Sequence, residues 1–129
     1  MLNVEVSGHG LPVVLLHGLC ENLSLWNRLR VALNKNHQII TYDLPGFGKS
    51  DKLSNKFTLD DVAEILHEDL QDKLEIDKYV VLGHSLGGYI SLALANKYPE
   101  SILGYGLINS TSYADNEERK KPEIRSLSL

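Results

Sequence analysis

The chain has 129 residues, of which 43% are hydrophobic and 23% charged, and a formal net charge of −4, a make-up that suits one compact globular domain. The acidic balance and the lack of a basic stripe argue against nucleic acid as a partner, and the apolar runs are too short to span a bilayer. Met1-Leu2-Asn3-Val4-Glu5 has no cationic stretch leading into an apolar core, so no signal peptide is expected; the single cysteine, Cys20, excludes an internal disulfide, and cytoplasm is the default compartment.

The predicted elements follow one another as strands and helices. Leu2 to Ser7 alternates and reads as an edge strand that turns at Gly8-His9-Gly10, a hairpin, into the buried strand Val13 to His17. Ser24 to Asn34 is amphipathic, with Leu25, Trp26, Leu29 and Leu33 spaced for one helical face. Gln38 to Asp43 is the next strand, and residues 44 to 57 are loop. Thr58-Leu59-Asp60-Asp61 is a capping box opening a helix that carries Val62, Ile65, Leu66, Leu70 and Leu74. Lys78 to Leu82 is a strand, Ser85 to Tyr98 a helix stopped by Pro99, and Ile102 to Asn109 a further strand. Strands alternating with helices imply a parallel sheet with helices on both faces, an α/β fold without a second domain. Residues 110 to 121 are polar and helix-prone, and Pro122 breaks that pattern.

Three motifs sit at strand ends. Tyr79-Val80-Val81-Leu82 runs into Gly83-His84-Ser85-Leu86-Gly87, a G-x-S-x-G pattern between an apolar strand and an apolar, Ala-rich helix. In that context it is a nucleophile elbow: a sharp turn that lifts the Ser85 hydroxyl above the sheet at a helix N-terminus, with Gly83 and Gly87 where Cβ atoms would crowd the turn. Val13-Val14-Leu15-Leu16-His17-Gly18-Leu19 is a second buried strand running into His-Gly. Tyr42-Asp43-Leu44-Pro45-Gly46-Phe47-Gly48-Lys49-Ser50 is a third strand-end loop. Its Pro and two Gly residues fix a tight turn. Gly46, Gly48 and Lys49 lie too close together for a phosphate loop, and the architectural reading of this segment outweighs a catalytic one.

With these motifs in this order, the chain resembles the α/β-hydrolase superfamily, specifically its serine esterase, lipase and acyl-transfer branch, over about residues 2 to 120. The resemblance implies that His17-Gly18 opens the loop supplying one oxyanion-hole amide, from Leu19, and that Leu86, after the nucleophile, supplies the other. His17, Gly18, Gly83 and Gly87 would position these loops. It implies a serine-dependent hydrolase, most simply of carboxylic esters through an acyl-enzyme on Ser85, acting on a small ester-like substrate with no cofactor and no metal. A serine at this position argues against the related branches that use Asp.

The same resemblance exposes what is missing. The family order is Ser, then Asp or Glu, then His, yet no histidine follows His84. His9 falls in a turn, His17 in the oxyanion loop, and His37 at the wrong end of the sheet. His67 is expected on a helix, solvated or partly packed, and His84 is expected to project to the other side of the turn from Ser85. Asp115 and Asp43 are poor candidates for the acid. General base and acid are therefore unknown, and the chain reads as an N-terminal, truncated α/β-hydrolase whose strands match the family's second to sixth and which ends after about that sixth strand, Ile102 to Asn109, with residues 110–129 the start of a cap region or an aberrant tail. The alternative is a non-catalytic module that binds a ligand or partner. Ile102 to Asn109 would then leave one apolar sheet edge bare, inviting self-association. Cys20 and Trp26 are expected to be packed residues and Tyr89 to lie against the sheet. Glu64, Glu68, Asp69 and Asp72 are expected to form the wet face of a helix.

Overall fold

Leu11–Leu16 (β2) shows how the sequence builds two cores at once. Successive side chains of a strand point to opposite faces, so an unbroken apolar run requires cover on both. Val14 and Leu16 join one buried cluster and Val13 and Leu15 the other. The computed structural model describes residues 1–54, 56–109 and 123–128, the last segment and Asn109 by backbone alone.

Around β2 lie Val4–Ser7 (β1), His37–Tyr42 (β3), Tyr79–His84 (β4), Ile102–Asn109 (β5) and Glu123–Ser128 (β6). Together they form one six-stranded sheet in the order β1-β3-β2-β4-β5-β6. The three central pairings, β3 with β2, β2 with β4 and β4 with β5, are parallel; both edge strands run antiparallel to their neighbours. Asn27–Leu33 (α1), entered through the 3₁₀ turn Leu23–Trp26, covers one face together with Trp26. Leu59–Glu68 (α2) and Leu86–Lys97 (α3) cover the other, packing Val62, Ala63, Leu66, Ile90 and Leu94 on Val14, Leu16, Ile40, Tyr42 and Val81. The capping box forms as its spacing predicts: the Thr58 hydroxyl accepts from Asp61 N–H at 3.1 Å, and the Asp61 carboxylate accepts from Thr58 N–H at 2.9 Å. Beyond Glu68 the helix loosens into the π turn Asp69–Lys73.

Two expectations about connectivity are corrected. The Gly8-His9-Gly10 turn does not close a hairpin, because β1 pairs with β3 and not with β2. The turn instead passes over the start of β3, where Gly8 and Gly10 have positive φ angles of 82° and 120° and any Cβ would meet the carbonyls of Asn34, Asn36 and His37. The second correction concerns β5. Its outer edge is not bare: Glu123–Ser128 lies along it, with Leu107 opposite Arg125 and Ile108 opposite Ile124. The backbone groups of an edge strand are a template for any extended segment within reach. Self-association through the β5 edge would first have to displace β6. The helix-prone stretch 110–121 and Asp115 lie outside the described residues.

Candidate active site at the carboxyl edge of the sheet

The carboxyl ends of β2, β3 and β4 lie side by side, and each leads into one of the three motif loops. In open α/β sheets this edge is where ligands bind. The β4 loop is the tightest. Ser85 stands between the last residue of β4 and the first of α3 with φ 57° and ψ −116°, a conformation that non-glycine residues rarely adopt. Such strain survives only where the surroundings over-determine it. Here two glycines do so: a Cβ on Gly83 would run into the Gly87 carbonyl, and a Cβ on Gly87 into the carbonyls of Leu16 and His17. The elbow thus presses directly on the end of β2. Ser85 is exposed, and among the hydrogen bonds of the described residues none involves its hydroxyl. Leu86, the first residue of α3, has an N–H that no intrahelical carbonyl can reach.

The β2 loop is held from both ends. His17 is fully buried; its Nδ1 lies 2.7 Å from the Gly18 carbonyl and its Nε2 2.9 Å from Leu44 N. Because a backbone N–H can only donate, Nε2 must be the bare nitrogen and Nδ1 must carry the proton. Burial lowers the pKa of His17 below the usual histidine range, against the opposing pull of the Gly18 carbonyl, Asp43 and Glu21. This imidazole is neutral and engaged at both nitrogens, so it cannot accept a proton from Ser85. Phe47 packs edge-on against it at 5.6 Å.

After Gly18 the chain makes a turn closed by Glu21 N–H donating to the Gly18 carbonyl at 3.2 Å. The same turn is closed a second time by Gly18 N–H donating to Glu21 Oε1 at 2.6 Å. Leu19 is exposed at its tip. Cys20 is exposed too, with φ 60°, which corrects the expectation of a packed thiol: the turn that seals Gly18 to Glu21 pushes the two residues between them outward. Glu21 Oε1 also lies 3.0 Å from His84 Nδ1. A Cβ placed on Gly18 would sit 3.0 Å from Ser85 Cβ and 3.1 Å from His84 Nδ1, so the loop and the elbow are in contact at that point. His84 therefore leans on the loop after β2. Glu21 gave no signal in the sequence beyond being a carboxylate three residues past Gly18.

The β3 loop is built around Asp43. This buried carboxylate accepts from Leu23 N–H, Lys49 N–H and the Asn3 amide, each at 2.8 Å. Burial alone would raise its pKa, but the hydrogen bonds from Lys49, Asn3 and Leu23 outweigh it and the net shift is downward. Gly48, at φ 52°, lies so close that any Cβ would overlap the carboxylate. Ser50 completes the knot, donating to the Asp43 carbonyl and accepting from Asn3 N–H.

The remaining histidines lie elsewhere. His9 sits in the β1–β2 turn and His37 starts β3, at the amino edge of the sheet, within 3.3 Å of the Leu33 carbonyl. His67 is buried, not solvated: its Nδ1 meets Tyr79 OH at 2.9 Å and its ring stacks on Tyr98 with centroids 3.7 Å apart. Trp26 is buried. Tyr89, expected against the sheet, is 62% exposed, because the glycines and Ile90 and not Tyr89 fill the sheet-facing side of the first α3 turn. Among the described residues no cluster of His, Cys, Asp or Glu could hold a metal ion, and no helix is long and apolar enough to cross a membrane.

Sequence comparison agrees with this architecture. A family model described as the alpha/beta hydrolase fold matches residues 12–126. The chain belongs to the alpha/beta hydrolase fold family. Its relatives include a protein named as a dihydrolipoyllysine-residue acetyltransferase component of an acetoin cleaving system, from Pseudomonas putida. That protein is 36% identical over 86% of this chain and 30% of its own length. A protein named as a carbamate hydrolase from Yersinia enterocolitica is 34% identical over 94% of this chain and 45% of its own length. Among solved structures, a thermophilic esterase from Thermogutta terrifontis superposes with a TM-score of 0.78 at 36% identity, covering 82% of this chain and 39% of that one. The chain thus spans less than half the length of each of these three proteins.

Proposed function

We propose that the carboxyl edge of this sheet carries the nucleophile of a serine hydrolase acting on carboxylic esters, with Ser85 as the attacking residue. The observation that carries the reading is the backbone of Ser85. An exposed serine is held at φ 57° by two glycines that leave it no relaxed alternative, at the N-terminus of a twelve-residue helix. In the reaction Ser85 Oγ attacks the acyl carbon and gives up its proton to a base. The carbonyl oxygen becomes an oxyanion, and the N–H groups of Leu19 and Leu86 are the donors assigned to it. The tetrahedral intermediate then expels the alcohol, and water releases the acid from the acyl-enzyme. Loss of one such donor typically raises the barrier by about 3–4 kcal/mol.

General base and acid remain unassigned. His17 is committed to two backbone partners and His67 to Tyr79. Those commitments favour a second reading, a module that binds ligand or partner without turnover. One experiment separates the two. Alone, the chain should hydrolyse p-nitrophenyl acetate little, with a residual of roughly 10³–10⁴ over water if the oxyanion donors are in place. Exogenous imidazole, supplied as the missing base, should speed acetylation of Ser85, seen as an acetyl adduct on that residue by mass spectrometry, and Ser85→Ala should abolish the increment. Imidazole-dependent turnover equal in wild type and Ser85→Ala would sink the nucleophile assignment. Turnover typical of intact esterases without imidazole would mean that a base exists among the five histidines.

A further inference from the structure

One carboxylate oxygen joins the two loops of the site. Glu21 Oε1 accepts from Gly18 N–H at 2.6 Å and lies 3.0 Å from His84 Nδ1, across 63 residues of sequence. From these contacts we infer that Glu21 is a positioning residue: it sets the turn bearing the Leu19 amide against the elbow bearing Ser85. The inference rests on the reading of Ser85 as the nucleophile.

The chemistry fixes the roles within the clasp. An ionised carboxylate only accepts, so His84 must carry its proton on Nδ1, leaving Nε2 bare when the ring is neutral. The bond from Gly18 is short, as a charge-assisted bond should be. Both partners are partly screened from water, with side chains 30% and 18% exposed for Glu21 and His84. Gly18 itself is buried, and its place beside Ser85 Cβ and His84 Nδ1 leaves the turn no slack toward the elbow. His17 also holds the Gly18 carbonyl, so the peptide units on both sides of Gly18 are held by side chains. What the clasp needs is an acceptor at Oε1. Glutamine in place of Glu21 keeps one, whereas alanine does not.

Nuclear magnetic resonance on the full chain, run beside the imidazole-assisted acetylation assay, tests this. The wild type should show a downfield, slowly exchanging Gly18 amide proton and His84 as the Nδ1–H tautomer. Glu21→Ala should lose both, move the amide resonances of Leu19 and Ser85, and lower the acetylation rate about 10-fold or more with KM little changed, as misplacement of a catalytic group does. Glu21→Gln should restore the tautomer, the resonances and most of the rate. Unmoved Leu19 and Ser85 resonances in Glu21→Ala, or a Glu21→Gln variant as impaired as alanine, would overturn the inference. If the wild type is not acetylated at Ser85 at all, the nucleophile reading falls and the resonances alone decide the clasp. Should Glu21→Ala fail to fold, His84→Phe breaks the link from the other side and must move the Leu19 amide for the inference to stand.

Discussion

The loop after β3 and the loop after β4 lie on the same edge of one sheet and are built on opposite principles. In the first, a buried carboxylate is satisfied to the full: Asp43 takes three N–H donors and its own carbonyl takes Ser50. In the second, an exposed serine has a strained backbone and a hydroxyl without a partner among the described residues. Saturated hydrogen bonding makes a rigid post and leaves nothing to react. Strain and an unengaged hydroxyl leave a side chain that cannot hold itself in place. The first lends its rigidity to the second through His17, whose two nitrogens span Leu44 at the β3 loop and Gly18 beside the elbow. Asp43 adds a second tie through Leu23, just past the Gly18–Glu21 turn.

That contrast can be broken at graded cost. The largest effect should come from Gly87→Ala, whose methyl would overlap the Leu16 and His17 carbonyls. Backbone cannot yield as a flexible side chain can, so we expect a loss above roughly 4 kcal/mol or outright failure to fold, read by urea denaturation. Ordinary stability in this variant would mean that the elbow does not press on β2. Asp43→Ala should follow, at roughly 3 kcal/mol, because it strands three donors in a buried site. A loss under about 1 kcal/mol would show that water replaces the carboxylate and that the post is not rigid.

Acid should act next, in two stages. His17 and His67 both have pKa values lowered chiefly by burial, so the unfolded chain binds protons more readily than the folded one. Their contribution is complete above the unfolded value near 6.5 and drains away as pH falls below it. Asp43 is also lowered, so its contribution is present above about pH 4 and is lost as pH falls through and below that value. Thermal melts from pH 8 to pH 3 should therefore show a first decline beginning near pH 6.5. His67→Phe, which keeps the stack on Tyr98, should flatten the part of that decline due to His67. An unchanged decline would assign it to His17 alone. The smallest effect should have the opposite sign. Ser85→Gly relieves the positive φ and should stabilise by roughly 1 kcal/mol, whereas Ser85→Ala, which keeps a Cβ, should not. Equal stability of the two variants would mean that the elbow stores no strain.

Much of this was legible in the sequence because it rests on local rules. Unbroken apolar runs at Val13–Leu16 and Tyr79–Leu82 require a strand covered on both faces, and the Thr58 box marks a helix start by its own spacing. The Gly83-His84-Ser85-Leu86-Gly87 pattern requires a turn too tight for side chains at its flanks. Those constraints act within a few residues and need no partner. What the tertiary structure decided depends on distant chain segments meeting. Nothing near Val4 states that it will pair with Tyr42 across β3, since either neighbour would satisfy its backbone. Nothing near Glu123 states that β5 offers an edge to it. The exposure of Tyr89 and Cys20 and the burial of His67 follow from which groups fill the space around them. The Glu21–His84 contact exists only because β2 and β4 are adjacent, and a single carboxylate carries no period or spacing from which a sequence could announce it.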